Sequence, residues 1–376
     1  MTQIKSTVFG VALAAATAPM FALAQSSVTL YGAIDNGITY ISNAGGKSQI
    51  KMDDSTLLGD RWGLKGKEDL GGGLAAIFQL ENGFSVNNGA TYGTQFGRQA
   101  YVGLDSHWGK LTMGRQYDFS RDYMSPYGTD GWWLSGYGVH QGDLDREVFG
   151  RFSNSVKYES PDLKGFKFGG MYSFSNTAGD FHDGSGWSVG GKYGNGPFSA
   201  AVTYTYLAKT TIDPYALLGV HTLMGQSTVT IANGQATDPY GDDSFGLTSL
   251  GTLGVGAQYK FGPVSVIGNF TDTRLKGIGA TEGASASLLV YELGSLWQIT
   301  PSWMVGASYQ HSKLESNAWN EVAVAIDYTL SKRTFVYLTG DYLRASANVD
   351  PVIGASFTPS RSNTQALARL ALVHEF

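Results

Sequence analysis

The chain reads as all-β, a 16-stranded antiparallel transmembrane β-barrel, and three observations predict it. Segments of about ten residues alternate apolar and polar side chains along most of the sequence, as strands with one apolar face require. The connectors between them alternate between long and short, the pattern of an up-and-down meander. The composition has 51 Gly, 21 Tyr, 19 Phe and 8 Trp in 376 residues with only 15% charged, which suits strands rich in aromatics joined by tight turns.

Residues 1 to 24 read as a secretory leader: Lys5 supplies the positive end, Phe9 to Phe21 an apolar run rich in alanine, and Ala22-Leu23-Ala24 a small-residue cleavage site. The mature chain is expected to start at Gln25 and to leave the cytoplasm. Beyond the leader no run approaches the eighteen or so apolar residues that a spanning helix needs.

The first strand places Val28, Leu30, Gly32 and Ile34 on one face and Thr29, Tyr31, Ala33 and Asp35 on the other. Later segments repeat the pattern. Leu253, Val255, Ala257, Tyr259 and Phe261 alternate with Thr252, Gly254, Gly256, Gln258 and Lys260, and Val322, Val324, Ile326, Tyr328 and Leu330 face away from Ala323, Ala325, Asp327 and Thr329. Sixteen segments are expected, starting near positions 28, 57, 74, 96, 110, 151, 165, 186, 197, 249, 264, 287, 303, 320, 334 and 365. Tight turns such as Gly71-Gly72-Gly73, His107-Trp108-Gly109, Gly196-Pro197 and Gly262-Pro263 fall between long connectors near 42–56, 85–95, 116–150, 176–185, 209–248, 275–286, 315–319 and 346–364.

A soluble sandwich would also alternate, but it does not separate long from short connectors so regularly or place aromatics at strand ends. An outer-membrane barrel does both. Closure follows, because hydrocarbon offers a sheet edge no hydrogen-bond partner. The last strand ends on Leu370, Leu372, His374 and Phe376, a terminal aromatic.

One connector, 116–150, has no periodicity and is too long for an ordinary link. Its aromatics, Tyr117, Phe119, Tyr123, Tyr127, Trp132, Trp133, Tyr137 and Phe149, must pack somewhere. The acids Asp118, Asp122, Asp130, Asp143, Asp145 and Glu147 face only Arg121 and Arg146 as bases, with Arg115 and Arg151 just outside the two ends. It reads as a folded loop with an acidic face.

The formal net charge of −5 becomes −6 once Lys5 is removed, and no basic tract suggests nucleic acid. With no cysteine a disulfide scaffold is excluded. His107, His140, His182, His221, His311 and His374 show no paired-ligand spacing, and neither a nucleophile elbow nor a phosphate loop is present. No cofactor, metal or catalytic group is expected. Asn269-Phe270-Thr271 fits a glycosylation sequon but lies inside a strand.

The order and spacing of several motifs resemble Gram-negative trimeric porins of the β-proteobacterial general-diffusion type. The carriers are Val28-Thr29-Leu30-Tyr31-Gly32, Arg61-Trp62-Gly63-Leu64-Lys65-Gly66, Glu68-Asp69-Leu70-Gly71-Gly72-Gly73-Leu74, Gln79-Leu80-Glu81-Asn82-Gly83-Phe84, Arg98-Gln99-Ala100-Tyr101-Val102-Gly103-Leu104, Gly114-Arg115-Gln116-Tyr117 and Arg151-Phe152-Ser153-Asn154-Ser155-Val156-Lys157-Tyr158. The long 209–248 connector and Val373 and Glu375 in the last strand depart from the family's pattern. The resemblance implies that the third long loop, 116–150, folds inward and narrows the barrel. It implies wall arginines at Arg61, Arg98, Arg115 and Arg151 facing loop acids, for which Asp118, Asp130, Asp143 and Asp145 are the candidates. It also implies a homotrimer in outer-membrane lipid that passes ions and small hydrophilic solutes by passive diffusion.

Periodicity supports an inward direction for Arg61, Lys65 and Lys67, opposite Trp62 and Leu64, and for Arg151 and Lys157, opposite Phe152, Val156 and Tyr158. Arg115 shares a face with Leu111 and Met113, and Arg98 with Ala100, Val102 and Leu104, so for these two the lumen assignment rests on the resemblance. Surface or interface salt bridges are the competing role for all four arginines, and backbone capping the competing role for the acids. Ser227 to Ile231, followed by Asn233-Gly234, reads as a hairpin inside an outer loop; the alternative is an extra strand pair in an 18-stranded, substrate-specific channel. The loop acids and the net charge of −6 lean the ion preference toward cations, the four arginines with Lys65, Lys67 and Lys157 lean it toward anions, and the weight of charge at the narrowest point tips the balance slightly to anions.

Overall fold

The computed structural model describes residues 26–129, 134–238, 245–355 and 357–376. The expected leader, Asp130, Trp132 and Trp133 lie outside them. The strands are β1 (Ser27–Ala44), β2 (Lys47–Asp54), β3 (Arg61–Gly71), β4 (Leu74–Gly83), β5 (Gln99–Ser106), β6 (Gly109–Tyr117), β7 (Arg151–Glu159), β8 (Phe166–Ser173), β9 (Gly186–Asn195) and β10 (Phe198–Ile212). After four short strands, β11 (Thr222–Leu223), β12 (Gln226–Ser227), β13 (Thr230–Ala232) and β14 (Gln235–Thr237), the series resumes. It continues with β15 (Phe245–Phe261), β16 (Val264–Gly277), β17 (Ser285–Gln298), β18 (Trp303–Leu314), β19 (Asn317–Ser331), β20 (Thr334–Ala345) and β21 (Thr364–Glu375).

Consecutive strands pair antiparallel around one sheet, and β1 closes it by pairing with β21 from Ala33↔Glu375 to Ile41↔Leu367. Gly32 and Phe376 exchange backbone hydrogen bonds of 3.0 and 3.1 Å, so the terminal aromatic completes the seam. The other edge of β1 pairs with β3 through Ser27↔Lys67 to Ala33↔Arg61, then with β2 from Asn36↔Asp54 upward. β2 and β3 therefore share one place in the wall, and the barrel has sixteen.

This corrects two expected connectors. Residues 42–56 are not a long loop: β1 runs to Ala44 and turns tightly into β2. The 315–319 connector is a two-residue turn between Leu314 and Asn317. The short pairs β11–β12 and β13–β14 each form a two-stranded sheet separate from the wall, as hairpins inside the connector between β10 and β15.

Alternation divides every wall strand into two faces. On β19 and β20, Val322, Val324, Ile326, Leu338 and Tyr342 are exposed, whereas Ala323, Ala325, Tyr337, Thr339 and Asp341 are buried. The exposed set continues around the barrel through Val28, Leu30, Val102, Phe168, Val202, Val255 and Leu293, an apolar band far larger than a soluble surface tolerates. Aromatic pairs such as Trp303–Tyr328 and Tyr259–Phe261, with centroids 4.6 and 4.5 Å apart, fringe its short-turn end.

Residues 118–150 contact the opposite, inner face. Phe119, Tyr123, Met124 and Tyr127 form a cluster with Phe152, Met171 and Ala201. Glycines on the inner face make the approach possible: a Cβ on Gly256 would lie 2.7 Å from the Tyr127 ring, and one on Gly306 would lie 2.1 Å from Leu134. Farther along, Ser135 donates to Asp341 and Gln310 to the Gly138 carbonyl, at 2.8 and 2.7 Å, and the Tyr137 hydroxyl reaches Asp53 and Thr39. The loop thus lines the wall from β7 round to β20 and β1, and leaves the stretch from β3 to β6 uncovered.

Leu293 is exposed on the outer face of β17 between Tyr291 and Trp297. Leu293→Arg is expected to lower the folding free energy in lipid vesicles by about 2–4 kcal/mol if the site sits at mid-depth. Urea unfolding monitored by tryptophan fluorescence measures it, and an unchanged midpoint would refute the lipid-facing assignment.

Candidate pore constriction

On the uncovered wall a chain of ionic groups starts at Arg61, the first residue of β3. Arg61 pairs in register with Ala33, which is fully buried, so its side chain enters the interior and Trp62 faces out. Its Nε lies 3.9 Å from Glu81 Oε2. Arg98, which immediately precedes β5, bonds the other oxygen of Glu81 from Nε at 2.7 Å and donates to the Tyr117 hydroxyl at 3.0 Å. Tyr117 also accepts from Arg151 at 2.9 Å, and the Arg151 guanidinium lies 4.5 Å from the Tyr117 ring centre, a cation–π contact. Arg61, Arg98 and Arg151 are thereby joined through one carboxylate and one phenol.

Arg115 stands apart. Its guanidinium donates to the Gly97 carbonyl at 2.6 Å and to Ser153 at 2.7 Å. The pairing of β6 with β7 slips between Gly114 and Gln116, where Gly114 has φ +136° and a Cβ would meet the Ala100 carbonyl oxygen at 2.2 Å. That bulge removes Arg115 from the face of Leu111 and Met113. Opposite it, Asn154 at φ +51° turns Phe152 inward against Phe119, which corrects the expectation that Phe152 points outward.

Glu81, the acid that meets the arginines, belongs to the wall and was not singled out in the sequence. It lies within a quoted motif, and sharing an inner face with Gln79 is the signal that marks it. Tyr31 donates to its Oε2 at 2.9 Å and Gln79 donates to the Tyr31 hydroxyl at 2.7 Å, so the carboxylate is held on three sides. Below this chain a recess is lined by Gln99, Tyr101, Lys110, Thr112, Asp122 and Lys157, with Lys157 bonded to Asp122.

Apart from Asp122, the described loop acids are engaged elsewhere. Asp118 is fully buried, accepts from Arg146 Nε at 2.7 Å and caps the Arg121 amide at 3.0 Å. Asp143 accepts from the amides of Val148 and Phe149 at 2.9 and 2.8 Å. Asp145 bonds His140 at 2.6 Å and Thr271 at 2.9 Å, while Glu147 accepts from Asn269 at 2.7 Å. Burial alone would lower the His140 pKa, but Asp145 and Glu147, with hydrogen bonds to Asp145 and Glu292, hold it well above its ordinary value. Burial pushes Glu147 up to about 8 against the attraction of His140. None of Asp118, Asp143 and Asp145 touches Arg61, Arg98 or Arg151; Asp130 lies outside the described residues.

The Asp118–Arg146 pair joins the two ends of the loop. Removing one partner strands the other's buried charge, which costs about 3–5 kcal/mol. Arg146→Ala is therefore expected to lower the unfolding temperature of the folded barrel markedly, whereas Arg274→Ala, whose pair with Asp272 is largely exposed on the arginine side, changes it little. Loss of heat-modifiable mobility at a lower temperature on gels reads the difference.

Comparison with known proteins agrees with this architecture. The family model described as Gram-negative porin matches residues 10–348. An outer membrane porin protein of Bordetella pertussis is 31% identical over 385 residues, covering 91% of this chain and 94% of that protein. Outer membrane porin protein 32 of Delftia acidovorans is 29% identical, covering 87% and 86%. Among solved structures, the anion-selective porin from Comamonas acidovorans superposes with a TM-score of 0.75 at 23% identity over 94% of this chain and all of that one. These relatives are channels rather than enzymes. With its closed sixteen-stranded wall and apolar outer band, the chain belongs to the Gram-negative porin family and to the bacterial outer membrane.

Proposed function

We propose that the chain, after loss of residues 1–24, forms a water-filled channel for passive diffusion of ions and small hydrophilic solutes, constricted where Arg61, Arg98 and Arg151 line the wall left open by loop 118–150. The observation that carries this reading is the continuous chain Arg61–Glu81–Arg98–Tyr117–Arg151 on that wall. One carboxylate among three guanidinium groups leaves a net positive charge beside the passage. Screening acts over about 8 Å at physiological ionic strength, so charge on a wall of a narrow passage still acts on a solute crossing it. Size and charge then select without a step that traps the solute.

The sign follows from which charges stay accessible. Asp118 and Asp145 are buried against protein partners, which supports a role in holding the loop over one in facing solute. Lys65, Lys67, Lys110 and Lys157 add positive charge to the open wall, with Asp105, Asp122 and Glu159 opposing them. The balance favours anions. Homotrimeric assembly is part of the proposal, since closed symmetric assemblies are usual and a trimer form is described for one outer membrane protein of similar fold, from Vibrio cholerae.

Single-channel recording across a salt gradient tests this. The wild type should give ohmic steps closing in threes with an anion-side reversal potential. Arg61→Ala with Arg151→Ala should move that potential toward cations, and Glu81→Gln should move it the other way. Folded barrels that fail to conduct, or a reversal potential indifferent to all three substitutions, would refute the proposed constriction.

A further inference from the structure

Away from the arginines, where the loop meets β16 and β17, four ionisable side chains converge in the interior. His140 Nδ1 lies 2.6 Å from Asp145 Oδ2 and 4.0 Å from Glu147 Oε2, and His140 Nε2 lies 2.8 Å from Glu292 Oε2. All four residues are at most 5% exposed. One ligand atom from each of His140, Asp145 and Glu147 can be chosen so that all three lie within 4.8 Å of one another. Three carboxylates surround one imidazole, and among the described residues their only ion-pair partner is His140.

Two features separate this cluster from an ordinary buried ion pair. Asp145 Oδ1 and Glu147 Oε1 are buried and have no hydrogen-bond partner among the described residues, an expensive arrangement for a carboxylate unless a cation completes it. The imidazole is also held as a metal-bound histidine is held: if Nε2–H donates to Glu292, the Nδ1 lone pair is directed at Asp145 and Glu147. That lone pair and the Asp145 oxygen repel each other at 2.6 Å unless a proton lies between them, and a metal ion takes the proton's place as the two atoms spread to about 3.3 Å. Ligand atoms around a tetrahedral ion with bonds of about 2.0–2.2 Å lie roughly 3.3 Å apart, between the 2.6 and 4.0 Å separations from Nδ1. Asn269 and Thr271 orient the two carboxylates from β16. A small recess lined by Gly128, Thr129, Gly138, His140 and Glu147 adjoins the site.

We propose that His140, Asp145 and Glu147 bind one first-row divalent cation of the Zn2+ type, which fastens loop 118–150 to the wall through the Glu292 hydrogen bond. The mixed nitrogen and oxygen donors select such an ion over Mg2+, which keeps an all-oxygen octahedral shell. Binding displaces the proton that otherwise sits on Nδ1, so uptake releases a proton as well as neutralising two buried carboxylates. The three ligands fall within eight residues of sequence but match no familiar metal motif, and the residues that orient them, Glu292, Asn269 and Thr271, lie on strands more than a hundred residues away.

Untagged full-length protein, refolded in detergent and stripped with EDTA, is titrated with Zn2+ by calorimetry. The expected result is one ion per chain, with binding lost in His140→Ala, weakened at least 100-fold in Glu147→Gln, and weakened about 10- to 100-fold in Glu292→Gln. Zn2+ should raise the unfolding temperature of the wild type and not of Glu147→Gln, a conservative variant that guards against misfolding of His140→Ala. No saturable uptake by the folded wild type, or equal uptake and equal stabilisation in Glu147→Gln, would overturn the proposal and leave His140 as an imidazolium bridging two carboxylates.

Discussion

The absence of hydrogen-bond partners in hydrocarbon governs this molecule. Every backbone group at membrane depth must be satisfied within the wall, so the sheet closes on itself and the β1–β21 seam is carried through to the hydrogen bonds between Gly32 and Phe376. Closure around sixteen places makes an interior too wide for side chains alone to fill. What occupies that interior decides how the barrel functions, and among the described residues connector 118–150, backed by Leu218, Val220, Ile353 and Phe357 from two later connectors, has the aromatic and acidic content of a small core.

The connector is held by two different kinds of contact. Its first part packs by shape, with Phe119, Tyr123, Met124 and Tyr127 pressed onto inner-face glycines. Its second part is held by buried polar groups: Ser135 on Asp341, Tyr137 on Asp53 and Thr39, His140 on Glu292. A fully buried Arg369, bonded to Asp35, Tyr337 and Thr39, stiffens the adjoining wall. Because the described loop acids other than Asp122 are spent on the loop's own attachments, the ionic character of the open wall falls mainly to wall residues, above all the guanidinium groups around Glu81 and Tyr117.

Most of the fold was legible because lipid on one side and water on the other impose a strict two-residue period. Strands such as Val322 to Leu330 announce themselves by it. The period failed where the backbone departs from it: the bulge at Gly114 and Asn154 reverses the directions expected of Phe152 and separates Arg115 from Leu111 and Met113. β2 was read as a loop because only Ile50 and Met52 mark its outer face, and a six-residue break pinned by Asp35 and Asp60 divides it from β3. Of the site, the motifs around Arg61, Arg98 and Arg151 were visible. The burial of Asp118 and Asp145 was not, since an acidic residue in an aperiodic loop carries no mark of its partner when that partner, as with Thr271, is supplied by a distant strand.

In the proposed channel the loop covers one inner wall and leaves the other wet. The chain has no cysteine, so single substitutions report cleanly. Gln99→Cys, in the recess beside Lys110 and Lys157, should react with a charged, water-soluble thiol reagent during bilayer recording and lower the conductance in discrete steps. Ser308→Cys, buried beneath Thr129, should leave it unchanged. Equal modification and equal block at both positions would contradict the account.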